Sequence, residues 1–155
     1  MTPSMDDFTE KLISERPVIV RRRVLWGECD PAGVVYTPRF GDYFAVGRYW
    51  FLRAGLGFVD NPHPDRPGLG FPMRALSFDF RSFLAAEDVF DMTVRATAMS
   101  RRTFTIEVSA THLSGQVAFV ATGTQMCLDQ RTKSAITLPD HVVAALREHG
   151  LQADS

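Results

Sequence analysis

In three segments between residues 76 and 111 the chain alternates apolar and polar side chains. Leu76, Phe78 and Phe80 alternate with Ser77, Asp79 and Arg81, and Phe90, Met92, Val94, Ala96 and Ala98 with Asp91, Thr93, Arg95 and Thr97. Phe104, Ile106, Val108 and Ala110 then alternate with Thr105, Glu107, Ser109 and Thr111, and a Ser114-Gly115 turn leads into residues 117–128. A period of two sends every second side chain to one face of a strand, so this half of the chain predicts four consecutive strands of an antiparallel meander. The apolar face of such a sheet must be covered by another element.

The cover lies upstream. Residues 37–54 predict a helix, with Thr37 as N-cap, Pro38 at the first helical position and Gly55 as the stop. Phe40, Phe44, Gly47, Phe51 and Ala54 recur at three- and four-residue spacing and form one apolar stripe, with Gly47 permitting close approach to a sheet. Residues 17–26, PVIVRRRVLW, are rich in β-branched side chains and predict a first strand opened by Pro17. Within it Arg21, Arg22 and Arg23 face alternate sides, so they do not make one basic patch. One strand, one long helix and four strands is an α+β order: a curved antiparallel sheet of about five strands wrapped round a single helix. A short helix is expected over 138–149, and the Gly- and Pro-rich residues 55–72 form a long surface loop of the kind that often carries function. Residues 1–16 read as an N-terminal arm, with Phe8, Leu12 and Ile13 offering at most a short amphipathic turn, and 17–155 as one domain.

With 155 residues, 45% of them hydrophobic, such a domain buries a core without disulfide or metal staples. Cys29 and Cys127 stand far apart in no ligand-like spacing and read as free thiols in a reducing compartment. Seventeen basic against eighteen acidic residues lack the positive excess of a nucleic-acid binder. The acidic N-terminus does not resemble a secretory signal, and no apolar stretch approaches the roughly 20 residues of a membrane span, so a cytoplasmic protein with no membrane partner is expected. The unpaired edges of a sheet like this predict at least a dimer.

Chemistry concentrates in WGECDPAGVVYTP, residues 26–38, between the first strand and the helix. A helix N-terminus presents unpaired N–H groups and a partial positive charge, suited to an oxygen that becomes negative during reaction. Asp30 lies just upstream, so a base or nucleophile and oxyanion donors for acyl transfer stand close in sequence. Asp-Pro is equally a common turn opener, and Asp30 then only bonds its own loop. A Cys29 nucleophile is disfavoured, since Asp30 beside it raises a thiol pKa. His63, His112, His141 and His149 show no metal-ligand spacing, and neither G-x-S-x-G nor a phosphate-binding glycine loop is present.

The run GECDPAGVVYTPRF, residues 27–40, resembles the Asp-dependent branch of the 4-hydroxybenzoyl-CoA thioesterase family of hotdog-fold proteins, marked by Asp-Pro-Ala-Gly with a helix-opening proline shortly after. The similarity extends through GFPMRALSFDF, EDVFDMTV and SRRTF, covering most of 18–128. It implies a hotdog fold in homodimers or homotetramers, an acyl-CoA substrate, and no cofactor, coenzyme A being part of the substrate. It also implies that Asp30 attacks the thioester carbonyl or activates water, that the Thr37 N–H binds the oxyanion, and that Gly33 and Tyr36 lie beside the acyl group. Phosphates of coenzyme A would fall to Ser100, Arg101, Arg102 and Thr103, which otherwise read as a solvated hairpin turn. Phe71, with Tyr36, Phe40 and Phe44, is a candidate for an aromatic pocket, although Phe40 and Phe44 suit the core. Where 4-hydroxybenzoyl-CoA enzymes are expected to hold the ring hydroxyl with a helix carboxylate, this chain has Ala45, which puts that particular substrate in doubt. A non-catalytic acyl-CoA-binding module and a hotdog hydratase or dehydratase are the alternatives, the last lacking its usual helix histidine.

Overall fold

Only the last three alternating segments form the expected meander: residues 73–80 pair not with the next strand in sequence but with 117–126 at the far side of the sheet, because 18–23 takes the place beside 89–99, and one more strand joins them. In the computed structural model, which describes residues 8–58 and 68–151, the strands are β1 (Glu10–Glu15), β2 (Val18–Arg23), β3 (Leu69–Gly70), β4 (Met73–Phe80), β5 (Val89–Met99), β6 (Thr103–His112), β7 (Val117–Met126), β8 (Leu128–Asp129) and β9 (Ser134–Ala135). The helices are α1 (Arg39–Trp50), extended by a π-helical turn at Phe51–Gly55, and α2 (Asp140–Glu148). Six strands form one sheet in the order β1-β2-β5-β6-β7-β4, every neighbouring pair antiparallel, while β3, β8 and β9 make a small second sheet. With one long helix against an antiparallel sheet, the α+β hotdog architecture stands. Among the described residues no helix is long and apolar enough to cross a membrane.

The sixth strand, β1, comes from the N-terminal arm. Its local pattern is too short and too charged to announce a strand, but the free edge of β2 supplies backbone partners from Glu10 to Glu15. Strand β2 stops at Arg23 rather than Trp26, because Trp26–Glu28 winds into one tight 3-10 turn. Helix α1 likewise starts later than its cap signal suggests. Arg39, Phe40 and Gly41 donate to the carbonyls of Tyr36, Thr37 and Pro38, three residues back, so the entry turn is overwound, and the Thr37 side chain makes no capping bond.

Core packing follows the apolar stripe. Phe40, Phe44, Gly47 and Phe51 are buried, joined by Tyr43, and face Met92, Val94, Ile106, Val108, Phe119 and Ala121 on the sheet. A Cβ on Gly47 would lie 3.3 Å from Val108 Cγ2, which explains the small residue at the point of closest approach. Gly123 of β7 is tighter still: a Cβ there would overlap the buried Phe44 ring at Cζ, so the ring or the strand would have to shift. Gly123→Ala is therefore expected to destabilise the fold by about 1–3 kcal/mol, read as a lowered urea midpoint at unchanged m-value.

Polar side chains also enter this core. Arg48 donates from Nε to Gln125 Oε1 at 2.8 Å and from Nη2 to the Phe71 carbonyl, joining α1 to β7 and to the residue leading into β4. Arginine cannot accept a hydrogen bond, so the Gln125 carbonyl must face it. Burial lowers the Arg48 pKa from its usual value.

The two sheet edges differ. β1 carries Glu10, Lys11 and Glu15, charges of the kind that discourage edge pairing. β4 is eight residues long and exposed at every position except the half-buried Phe78, with Leu76 and Phe80 42% and 49% accessible. Leu76, Phe78 and Phe80 share the face turned toward α1, where Phe40 meets Phe80 and Phe44 meets Phe78, but the helix does not cover them.

Candidate active site

Between β2 and α1 the chain forms a small hairpin whose shape follows from Asp-Pro-Ala-Gly. The Asp30 carbonyl accepts the Gly33 N–H at 2.9 Å, closing a turn with Pro31 at the position where its fixed φ fits. Gly33 has φ +83°, a conformation that costs glycine little. The arms are joined by Asp30 N–H to the Val34 carbonyl and Tyr36 N–H to the Glu28 carbonyl, both 2.9 Å, and Val35 N–H ties the outer arm to the Leu84 carbonyl at 2.8 Å.

Asp30 is half-buried and does what a turn aspartate does: its Oδ1 accepts the Ala32 N–H at 2.8 Å. Its Oδ2 makes no hydrogen bond among the described residues, so one oxygen serves the turn and the other is open. On the opposite arm, the N–H of Thr37 likewise has no acceptor among the described residues, whereas that of Tyr36 is used by Glu28. The hairpin thus carries a carboxylate oxygen on one arm and an unspent N–H at the helix entrance on the other. Large exposed aromatics surround it, with Trp26, Tyr36 and Phe83 at 70%, 54% and 82% accessibility.

Cys29 sits beside Asp30 but is poorly placed to react. Burial first, then the negative charges of Glu28 and Asp30, push its thiol pKa up, which keeps it protonated at neutral pH.

Sequence reasoning missed Glu28. It is 8% accessible, and its carboxylate accepts from Arg22 Nη1 at 3.1 Å and Nη2 at 2.7 Å, from the Leu25 N–H at 2.8 Å and from Tyr43 Oη at 3.1 Å. The Arg22 guanidinium lies 5.2 Å from the centroid of the Tyr43 ring. Burial, the Glu28 charge and its hydrogen bond together raise the Tyr43 hydroxyl far above its ordinary pKa, so it remains a donor. A signal was present in the strand: Val18, Val20 and Val24 are buried at period two, and Arg22 shares their phase, which demands an acidic partner inside.

The remaining candidates are not gathered at this hairpin. Ser100, Arg101, Arg102 and Thr103 form the β5–β6 turn, with Ser100 Oγ 2.6 Å from Thr103 Oγ1 and both arginines exposed. Thr103 pairs with Met126 at the end of β7, whereas α1 begins against Phe80 and Phe119 near its start, so within one chain the turn and the hairpin occupy opposite ends of the sheet. Phe71 also belongs to the far end, buried against Phe58 and Phe104. Phe40 and Phe44 are core residues. Ala45 is exposed, and Asp42, one turn earlier, pairs with Arg39 at 3.2 Å in solvent. His112 reaches Ser82 Oγ at 3.1 Å, His149 is buried, and His63 lies outside the described residues. Among the described residues no three His, Cys, Asp or Glu side chains are grouped to hold a metal.

Comparison with known proteins identifies the family. The family model of the thioesterase-like superfamily matches residues 24–146. The 4-hydroxybenzoyl-CoA thioesterase of Pseudomonas sp. (strain CBS-3) is 27% identical over 108 residues, 68% of this chain and 77% of that protein. A hypothetical protein from Aquifex aeolicus superposes with a TM-score of 0.74 at 26% identity, covering 84% of this chain and 99% of that one. A 1,4-dihydroxy-2-naphthoyl-CoA thioesterase from Synechocystis shares the fold, with a TM-score of 0.72 at 19% identity over 83% of this chain and 93% of the other.

Proposed function

The chain belongs to the thioesterase-like superfamily, and from that premise we propose that it hydrolyses acyl-CoA thioesters to a carboxylic acid and free coenzyme A, with Asp30 as the catalytic carboxylate. The observation that carries this reading is that one hairpin brings together an Asp30 oxygen not used by its turn and, on the other arm at the helix entrance, an unspent Thr37 N–H. A thioester carbonyl between them has its oxygen directed to the Thr37 N–H and its carbon to Asp30 or to a water that Asp30 deprotonates. With water as nucleophile, its oxygen bonds to carbon, the C–S bond breaks, and the thiolate takes the proton that Asp30 removed; with Asp30 as nucleophile, the C–S bond breaks as an acyl-aspartyl anhydride forms, and water then cleaves that anhydride, releasing the acid, restoring Asp30 and supplying the proton that the thiolate takes up. Water is the cosubstrate and no cofactor enters. We take the enzyme to be cytoplasmic.

The assembly we propose is built on β4. Of the two edges it is the longer and more apolar one, with Met73, Leu76 and Phe80 exposed beside two charges, Arg74 and Asp79, and the exposed aromatics around the hairpin add surface that a monomer leaves uncovered. Two β4 strands paired antiparallel about a two-fold axis set the Met73 end of one against the Phe80 end of the other. The partner's β5–β6 turn, at the Met73 end, is thereby carried toward this chain's hairpin. That reconciles a phosphate role for Arg101 and Arg102, with Thr103, and a place for Phe71 near the acyl chain, with their distance from Asp30 in a single chain. Gly33 and Tyr36 flank the carbonyl site directly.

Thiol release over a panel of aryl, branched and straight-chain acyl-CoAs tests the reaction and reveals the acyl preference together; binding without release would make the chain an acyl-CoA-binding module instead. In the same assay, Arg101→Ala with Arg102→Ala is expected to raise KM for coenzyme A thioesters about tenfold, the worth of a charge-assisted phosphate contact. KM for the matching N-acetylcysteamine thioesters, which carry no phosphate, should not move. Equal effects on both substrates would remove the phosphate role.

A further inference from the structure

We propose that Glu28 is a positioning residue for this reaction, holding the hairpin that carries Asp30 at a fixed place against the entrance of α1; the proposal rests on Asp30 being the catalytic carboxylate. The bonds within the hairpin fix its shape but not its location. Its location is set by the antiparallel bridge of Val34 with Ala85, which includes the bond from the Val35 N–H to the Leu84 carbonyl, and by the Glu28 carboxylate, which takes donors from β2 through Arg22, from the loop through the Leu25 N–H, and from α1 through Tyr43. Glu28 Oε1 alone receives three donors from those three parts of the chain, so the carboxylate cannot turn without breaking with one of them. Asp30 follows two residues later on the same arm, and the Glu28 carbonyl bonds the Tyr36 N–H next to Thr37 on the other.

Burying a guanidinium and a carboxylate is a poor way to gain stability, since apolar side chains of similar volume commonly do as well. What the arrangement provides is a defined orientation: a planar bidentate fork lying over a buried ring. Displacing a catalytic group by about 1 Å costs on the order of a hundredfold in rate. Glu28 itself touches neither substrate nor reacting atoms and acts through Asp30.

Tyr43→Phe and Glu28→Gln, alone and combined with Asp30→Asn, test this. Tyr43→Phe removes one donor from a fully buried site at nearly constant shape, and is expected to lower kcat about tenfold with KM within twofold and melting little changed. Glu28→Gln turns an amide NH2 toward donors and is expected to lower kcat about a hundredfold. In the Asp30→Asn background Tyr43→Phe should lower the residual rate no further, because its effect passes through Asp30; a merely structural role would multiply the two losses. Amide exchange at Asp30, Gly33 and Tyr36, measured in the Tyr43→Phe protein, should quicken whether or not a substrate has been found. Wild-type kcat in both folded single variants, or unchanged exchange, overturns the positioning role. Full activity in Asp30→Asn overturns the role of Asp30 itself, a separate outcome.

Discussion

Asp30→Asn is expected to lower kcat for acyl-CoA hydrolysis by about 100- to 10,000-fold, the contribution of a well-placed carboxylate base or nucleophile, while the protein stays folded. Asparagine keeps an oxygen for the Ala32 N–H, so the turn closed by Pro31 and Gly33 survives. The open carboxylate oxygen becomes an NH2 group, which can neither accept a proton from water nor attack a carbonyl. Far-UV circular dichroism and a thermal melt matching wild type, beside a collapsed kcat and a nearly constant KM, are the expected readings. A variant that turns over at the wild-type rate would leave Asp30 with its turn role alone.

The second large effect concerns β4. Leu76→Lys places a charge on the exposed strand and is expected to convert a dimer into a monomer in light scattering, and to cut kcat/KM by about thirtyfold or more. That is the scale of losing an interface anchor worth about 2 kcal/mol. Catalysis falls with assembly because the phosphate-binding turn in the proposed arrangement comes from the partner. Ile13→Lys provides the comparison, since Ile13 is equally exposed, at 40%, but lies on the charged edge strand β1; both mass and activity should hold. A fully active Leu76→Lys monomer would show that one chain is sufficient and would return Arg101 and Arg102 to the status of turn residues.

Where sequence and structure part company, the division follows the range of the interactions. Strands β5, β6 and β7 were legible because a period of two is a local property, and α1 because its stripe recurs at 3.6 residues. The Asp30 turn was legible for the same reason: Pro31 and Gly33 encode its shape within four residues. Strand β1 was not, because its pairing depends on an edge offered by β2 rather than on its own pattern. Glu28 was overlooked since its surroundings are made by Arg22 on a strand and Tyr43, fifteen residues along, on a helix. The surroundings of Phe71 were not legible either, because an aromatic beside a Gly- and Pro-rich loop reads the same in or out of the core; only the tertiary structure packs it against Phe58 and Phe104.

The sequence by itself determined the element types, the inward faces of strands and helix, and the turn that presents Asp30, all consequences of backbone sterics and side-chain periodicity among near neighbours. Tertiary structure decided which strands became the edges, that Arg22, Glu28 and Tyr43 meet, and that Arg101 and Arg102 end up across the sheet from Asp30. Those outcomes depend on how a twisted sheet closes on one helix, and no stretch of neighbouring residues records that.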